Sequence, residues 1–182
     1  MTPVTQWLHT QHEAFHPHVA HLRLLAAPQE HCSVVAWCAA LDDSCAFLQQ
    51  ELAPYLYVVE QVLYPLLEYM LECPQAMASL RSANGELRQR SELLLTLRAA
   101  LSREPVSPPS ALHVLVATLY TRVTAYFTEE ALYLACLDTK VTPGAAHGLA
   151  IALEMVYTML KVEGKVSRHG WNPGALDSLC LP

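Results

Sequence analysis

The chain has few of the residues that mark a basic or a turn-rich protein. It has 182 residues with a net charge of -6, only 15% charged residues and only 6 glycines. The lysines number three, Lys140, Lys161 and Lys165, and no cluster of lysine and arginine occurs. Without a basic patch, a nucleic-acid interface and an electrostatic membrane-surface site are both excluded as expectations.

The sequence also lacks segments that direct a protein into or across a membrane. The first residues, MTPVTQWLHTQHEAF, contain neither the basic start nor the apolar stretch of a secretory signal. No apolar run reaches the roughly 18 residues that span a bilayer, because charges and prolines interrupt each one. We therefore expect a soluble, cytoplasmic protein with no membrane partner and no nucleic-acid partner.

Paired-cysteine motifs are missing as well. Six cysteines occur, and none has a CxxC or zinc-knuckle spacing. Cys38 and Cys45 are seven residues apart and can share one helix face. We interpret the cysteines as buried, reduced thiols that pack as small apolar residues.

Apolar residues make up 53% of the chain and recur every three or four positions, a spacing that predicts helices. Five helices are predicted, over residues 3–27, 32–72, 75–102, 111–139 and 145–163. The predicted fold is all-α, an up-and-down four-helix bundle with an additional C-terminal helix in residues 1–164, followed by an irregular tail in residues 165–182.

The longest predicted helix, residues 32–72, carries an interior seam spaced by three and four. The seam comprises Leu41, Ser44, Leu48, Glu51, Tyr55, Val59, Val62 and Leu66. Pro54 and Pro65 lie inside this helix, and Pro17 lies inside the first one. Each proline removes a backbone donor, so we expect a bend or a break at each position.

Three segments carry a resemblance to a known family. The segments HEAFHPHVAHLRLLAA (residues 12–27), FLQQELAPYLYVVEQVLYPLLE (47–68) and YFTEEALYLACLD (126–138) resemble the hemerythrin, or HHE cation-binding, family over roughly residues 6–140. The resemblance implies an antiparallel four-helix bundle that holds two irons through histidines and carboxylates. Family members bind oxygen, store or sense iron, or handle oxygen and peroxide species.

The family's ligand positions fall on residues of two kinds. His12 and Glu130 keep a ligand side chain. The other positions hold replacements: Tyr55, Val59, Asn84, Arg88 and Ala125. Because valine and alanine cannot bind a metal, the resemblance implies a fold whose diiron site is largely lost.

Three functions remain open at this point. The first is a degenerate hemerythrin-like protein without a cofactor, acting in binding or regulation, with a protein partner, a second copy or a small ligand in the bundle interior. The second is a non-heme metalloprotein with an atypical or mononuclear iron or manganese site formed by His12, Tyr55, Glu130 and Glu51. The third, a metal-free enzyme using Glu51, Glu130 and His12 as acids and bases, leaves catalysis undecided.

The surroundings of Glu130 discriminate among these functions. A carboxylate on an interior seam costs several kcal/mol unless it is paired or protonated. Its candidate partners are His12, Arg88 and tyrosine hydroxyls, whereas Glu51 is either a ligand or a solvated residue near the end of the bundle. A cluster closed off by tyrosines favours the binding protein, and a cavity lined by His12 and Glu130 favours the metalloprotein or the enzyme.

Overall fold

The computed structural model describes residues 1–27, 34–101 and 110–166, and every regular element in these ranges is helical, which confirms the all-α class. The α-helices are α1 (Pro3–Ala26), α2 (Val34–Phe47), α3 (Ala53–Val58), α4 (Tyr64–Met70), α5 (Ala78–Leu101), α6 (Ser110–Lys140) and α7 (Pro143–Val166). Two π-helical segments, Leu48–Leu52 and Val59–Leu63, join α2 to α3 and α3 to α4. These pieces form one continuous helix over residues 34–70, called the second helix below.

The two π segments of the second helix explain how it contains two prolines. Pro54 and Pro65 each lie in the first two residues of an α segment that directly follows a π segment. Proline lacks the backbone donor, and its ring presses against the carbonyl of the preceding turn. A π turn has a wider hydrogen-bond ladder and relieves this crowding without ending the helix.

The wide turns also displace the buried face of the second helix. The predicted seam is buried at Leu41, Ser44, Leu48, Tyr55 and Val59. At the three remaining seam positions the buried residue is the next one along the chain: Leu52 instead of Glu51, Leu63 instead of Val62, and Leu67 instead of Leu66. A π turn contains more residues than an α turn. A count that assumes regular α geometry therefore places the buried position one residue too early in the sequence.

The first helix is unbroken, and the expected split at Pro17 is wrong. α1 continues through Pro17 to Ala26. Pro17 and Glu13, whose carbonyl the proline ring displaces, are both exposed. Water can therefore satisfy that carbonyl.

The last described helix is longer than predicted at both ends. α7 begins at Pro143, two residues before the predicted start, because proline suits the first turn of a helix and Thr142 accepts from the backbone N–H of Ala145 at 3.5 Å. It ends at Val166, two residues inside the predicted tail. The rest of that tail lies outside the described residues, as does the predicted loop at residues 103–109.

Contacts at both ends show that α1 and α6 run antiparallel. The backbone N–H of Thr2 donates to Asp138 at 2.6 Å, and at the other end His113 Nδ1 lies 3.2 Å from the carbonyl oxygen of Leu25. Between these contacts the two helices form an extensive interface. Residues early in α1 therefore face residues late in α6.

The second helix and α5 are likewise antiparallel. Arg98 donates to both carboxylate oxygens of Asp42 at 2.6 and 2.7 Å, and Arg81 donates to Glu68 at 2.8 Å. α5 also packs along α6. Trp7 stacks on Tyr55 and Phe15 meets Phe47, so α1 and the second helix are antiparallel as well. α1, the second helix, α5 and α6 therefore alternate in direction around one shared apolar core.

α7 packs on the outside of α1 and the second helix. Trp7 Nε1 donates to Glu154 at 2.5 Å, and the ring of Tyr157 meets Trp7 edge-on. By length and composition alone, Pro143–Glu163 could also cross a membrane, with a mean hydropathy of 1.2 and 22% of the segment buried. The expectation that no apolar run is long enough is therefore too strict for α7, although this composition also suits a helix that supplies one face of a core.

Candidate functional site

A glutamate lies in the interior where α1, the second helix and α6 meet. Glu130 is 1% exposed. Its Oε2 lies 2.9 Å from Nε2 of His12 and accepts a short hydrogen bond from the Tyr55 hydroxyl. Its Oε1 accepts from the hydroxyls of Tyr126 at 3.1 Å and Tyr64 at 3.4 Å. We call these five residues the Glu130 cluster.

The hydroxyls of the Glu130 cluster also bond to one another and to the imidazole. Tyr64 and Tyr126 share a short hydrogen bond, and His12 Nε2 lies 2.8 Å from the Tyr55 hydroxyl. The His12 side chain is 12% exposed, so it is the member nearest to solvent. Every polar side-chain group of the cluster thus has a partner inside it, apart from the second nitrogen of His12.

Burial keeps the phenols of the Glu130 cluster protonated. Removal from water, followed by the charge of Glu130, raises the pKa of Tyr55, Tyr64 and Tyr126 well above 10. A protonated phenol donates a hydrogen bond, and a carboxylate accepts one. The arrangement therefore stabilises a buried carboxylate with three neutral phenol donors beside the imidazole of His12.

Helix geometry places the four tyrosine and glutamate side chains. Tyr126 and Glu130 are four residues apart on α6 and therefore share one face. Tyr55 and Tyr64 are nine residues apart, which in a regular α-helix would set them about 180° apart. The π segment Val59–Leu63 lies between them and turns Tyr64 toward the side of Tyr55. Tyr64 was not predicted as a site residue, and Pro65 is the one sequence signal for that turn.

Two of the three candidate partner types for Glu130 are found. His12 and tyrosine hydroxyls surround it, whereas Arg88 forms an ion pair with Glu60 instead. Arg88 Nε also donates to Asn84 at 2.8 Å, and Asn84 donates to the backbone carbonyl of Leu56 at 2.8 Å. At Asn84 and Arg88, two positions where the resemblance implies metal ligands, this chain has residues that fasten α5 to the second helix.

Glu51 belongs to a different group of side chains. It accepts hydrogen bonds from Tyr157 at 2.9 Å and from Lys161, both on α7. Its side chain is 31% exposed. Because Leu52 takes the inward position, Glu51 faces α7, and among the described residues its hydrogen-bond partners do not include His12, Tyr55 or Glu130.

The donors of the Glu130 cluster fit a metal poorly. His12 Nε2, Tyr55 Oη and Glu130 Oε2 converge, and these three donors are too few for two metals, although three donors with open positions are enough for one. Ligation by Tyr55 also needs its phenolate, and burial opposes that form. Within the described ranges, no three His, Cys, Asp or Glu residues come together as a metal site would require.

A cavity lies elsewhere, between the second helix and α5. It has a volume of about 400 Å³ and is called the interhelical groove below. Its walls include Leu48, Leu52 and Leu56 on one side and Arg88, Ser91 and Leu95 on the other. A smaller cavity of about 230 Å³ lies beside Trp37. Neither of these two cavities is lined by His12 or Glu130, so the Glu130 cluster is closed off from both.

The described cysteines are free and differ in burial. Cys45 is buried, and burial followed by the charge of Asp42 raises the pKa of its thiol to about 11. Cys38 is half-buried, whereas Cys73 is exposed, so the interpretation of buried thiols is wrong for Cys73. The side chains of the other three cysteines lie outside the described part of the chain.

Comparisons of this chain with models of protein families, with curated proteins and with solved structures find no match. The resemblance to the hemerythrin family therefore stays a prediction that rests on the three quoted segments.

Proposed function

We propose that this chain is a degenerate hemerythrin-like protein, an up-and-down four-helix bundle with one added helix, that acts by binding and not by catalysis. The alternating directions of α1, the second helix, α5 and α6 support the bundle. The observation that carries the function is the closure of Glu130, whose two oxygens both accept from tyrosine hydroxyls. A cytoplasmic location is part of the proposal and suits the free cysteines.

The Glu130 cluster takes the place of a metal centre in this proposal. A buried carboxylate without partners would cost several kcal/mol. Here the imidazole of His12 and three phenols surround it, and a metal would have to displace these donors one by one. The cluster then specifies how α1, the second helix and α6 pack, and the binding role lies on other surfaces of the bundle.

Metal analysis tests the absence of a centre. Untagged protein from cells grown with added iron and manganese is measured by mass spectrometry, beside a Glu130→Gln variant of nearly the same shape. We expect both proteins to carry the same background of metal. Stoichiometric iron or manganese in the parent that is lost in Glu130→Gln would contradict the proposal.

The interhelical groove is the proposed place for a small ligand. Its volume of about 400 Å³ falls in the range of ligand pockets. The π segment Leu48–Leu52 forms part of its wall, and π turns often occur at functional sites. Leu52, Leu56 and Leu95 suit an apolar body, whereas Arg88 and Ser91 suit a small polar group at its end.

A fluorescent probe tests the groove. Anilinonaphthalene sulfonate has an apolar body and an anionic end, and we expect its fluorescence to rise on binding. Leu52→Trp fills the groove and should abolish the rise, whereas Leu132→Trp, at a side chain 71% exposed on α6, should not. Equal binding to both variants would show that the dye occupies another place.

A mononuclear metal site is the second candidate, and the convergence of His12, Tyr55 and Glu130 favours it. On this reading the site binds iron or manganese and handles oxygen or peroxide species. Added ferric iron would then produce a tyrosinate charge-transfer band in the visible spectrum. The band would vanish in Tyr55→Phe and persist in Tyr133→Phe. A spectrum without the band in the parent protein would exclude this site.

A further inference from the structure

The outward face of α7 is apolar along most of its length. Ile151, Met155, Met159 and Val162 are 47%, 66%, 45% and 57% exposed. Their spacing of four, four and three places them in one stripe. The stripe lies on the side of α7 opposite to the side that packs on α1 and the second helix. Large apolar side chains aligned on an exposed helix mark an interaction surface more often than scattered ones do.

The same stripe continues toward the start of α7 as two glycines. Gly144 and Gly148 precede Ile151 by seven and three residues and therefore share its face. A Cβ atom built at either glycine would meet nothing within 4 Å. One half of the stripe is thus flat and open, and the other half projects bulky side chains.

We propose that this stripe binds the same stripe of a second copy of the chain, with the two α7 helices antiparallel and the two-fold axis near Leu153. This proposal goes beyond the binding function above and does not depend on the state of the Glu130 cluster. A two-fold dimer uses one surface twice, so the surface must complement itself.

The order of small and large residues provides that complementarity. With the axis near residue 153, Gly144 of one copy faces Val162 of the other, and Gly148 faces Met159. Ile151 meets Met155 at the centre. Each bulky side chain therefore lies over a flat or matching position, as close packing requires. A parallel pair would place glycine on glycine, where two helices can cross closely, and methionine on methionine, and the register experiment below distinguishes it from the antiparallel pair.

Electrostatics agree with the antiparallel arrangement. The dipoles of the two helices oppose each other, and the late residue Glu163 of one copy approaches the start of α7 in the other, whose first turn has no acidic residue. The charged residues that flank the stripe are held by their own chain: Glu154 by Trp7 and Lys161 by Glu51. The stripe itself carries no charge.

A lipid surface fits this face less well. Helices that lie on membranes carry several lysines or arginines on their polar side. Within the described part of α7, Lys161 is paired with Glu51. Lipid and residues 167–182 of the same chain are the two alternatives to a second copy on this stripe. The experiments below distinguish these three occupants.

Light scattering during size-exclusion chromatography of the full chain tests the dimer. We expect a mass twice that of the chain at high concentration, falling toward the monomer on dilution. Met155→Glu should weaken association by more than about tenfold, because the substitution enters the symmetric interface twice. Leu132→Glu, on α6, introduces the same charge outside the interface and should leave the dimer intact. A parent protein that stays monomeric throughout would overturn the proposal.

A pair of compensating substitutions tests the antiparallel register. Gly148→Leu should disrupt the dimer by filling the flat half, and adding Met159→Ala should restore it, because these positions face each other only in the antiparallel pair. Adding Leu132→Ala instead, at an exposed residue on α6, is the control and should restore nothing. A failure of Met159→Ala to restore the dimer would overturn this register.

Two further measurements identify the competitors. A monomeric parent that dimerises once residues 167–182 are deleted would assign the stripe to that segment. A monomeric parent that floats with phosphatidylcholine–phosphatidylserine vesicles, and no longer floats as Met155→Glu, would assign the stripe to lipid. Either result would overturn the second copy as occupant, whereas a dimer that persists after the deletion and does not float supports it.

Discussion

Glu130 and Glu51 both lie on predicted interior seams, with Glu51 left open between a ligand and a solvated residue, and the protein holds them in opposite ways. Glu130 is 1% exposed and is surrounded by protonated phenols and one imidazole. The Glu51 side chain is 31% exposed and pairs with Lys161. The deeper carboxylate is held by three neutral phenols and the imidazole of His12, and the shallower one by a lysine whose charge water still screens. Stability should therefore depend strongly on the first glutamate and weakly on the second.

Removal of the Glu130 carboxylate is expected to have the largest effect. Glu130→Ala leaves three buried hydroxyls without their acceptor and opens a cavity among them. The free energy of unfolding should fall by about 3–5 kcal/mol. Urea unfolding followed by circular dichroism measures the loss, and Glu129→Ala, at the half-buried neighbour, is the control. A loss below about 1 kcal/mol would mean that the cluster does not stabilise the fold.

Alkaline pH should lower the free energy of unfolding through the tyrosine hydroxyls of the Glu130 cluster. The pKa values of Tyr55, Tyr64 and Tyr126 are raised in the folded state, so their contribution is complete below the ordinary value of 10 and is lost as pH rises above it toward the raised values. Each group should lower the free energy of unfolding by about 1.4 kcal/mol per pH unit in that window.

Tyr126→Phe tests this pH dependence. The variant has one titrating phenol fewer, so its stability should fall less steeply above pH 10 than that of the parent, by about 1.4 kcal/mol per pH unit. Tyr69→Phe, at a tyrosine that is 81% exposed, is the matched control. Identical slopes in the parent and in Tyr126→Phe would contradict the assignment of Tyr126 as a buried neutral donor.

The smallest effect is expected at Glu51. Glu51→Ala breaks a partly exposed ion pair with Lys161, and the loss should be about 1 kcal/mol or less. A double-mutant cycle with Lys161→Met isolates the pair, and its coupling should shrink further in high salt. Metal content should be the same in Glu51→Ala and in the parent. A loss as large as that of Glu130→Ala would erase the distinction between the two glutamates.

The parts of the fold that were predictable from sequence are those with regular α geometry. In α5 the residues at a regular spacing of three and four, Leu80, Asn84, Leu87, Ser91 and Leu94, are all buried. The structure also brings His12 of α1 and Glu130 of α6 together with Tyr55. A count of 100° per residue suffices there because no wide turn interrupts the helix.

The second helix is where such counting fails. Glu51 lies within the first π segment, so a regular count places it on the interior seam, although it faces α7. Tyr64 directly follows the second π segment, so a regular count does not predict its contact with Glu130. Three helix-internal prolines were visible in the sequence, but Pro17 leaves its helix intact, whereas Pro54 and Pro65 follow wide turns. Exposure of the displaced carbonyl does not explain the difference, because Gln50 and Gln61, four residues before Pro54 and Pro65, are exposed as Glu13 is.

The π segments also determine how this chain has to be aligned with any relative. A wide turn holds one more residue than a regular turn while the helix keeps its neighbours, so it acts as a one-residue insertion. A relative whose equivalent helix is regular would pair its interior residue with Val62 if no gap were allowed, although Leu63 occupies the interior here. Searches for homologues should therefore permit a single-residue gap inside Val59–Leu63, a place where helix alignments are usually kept continuous.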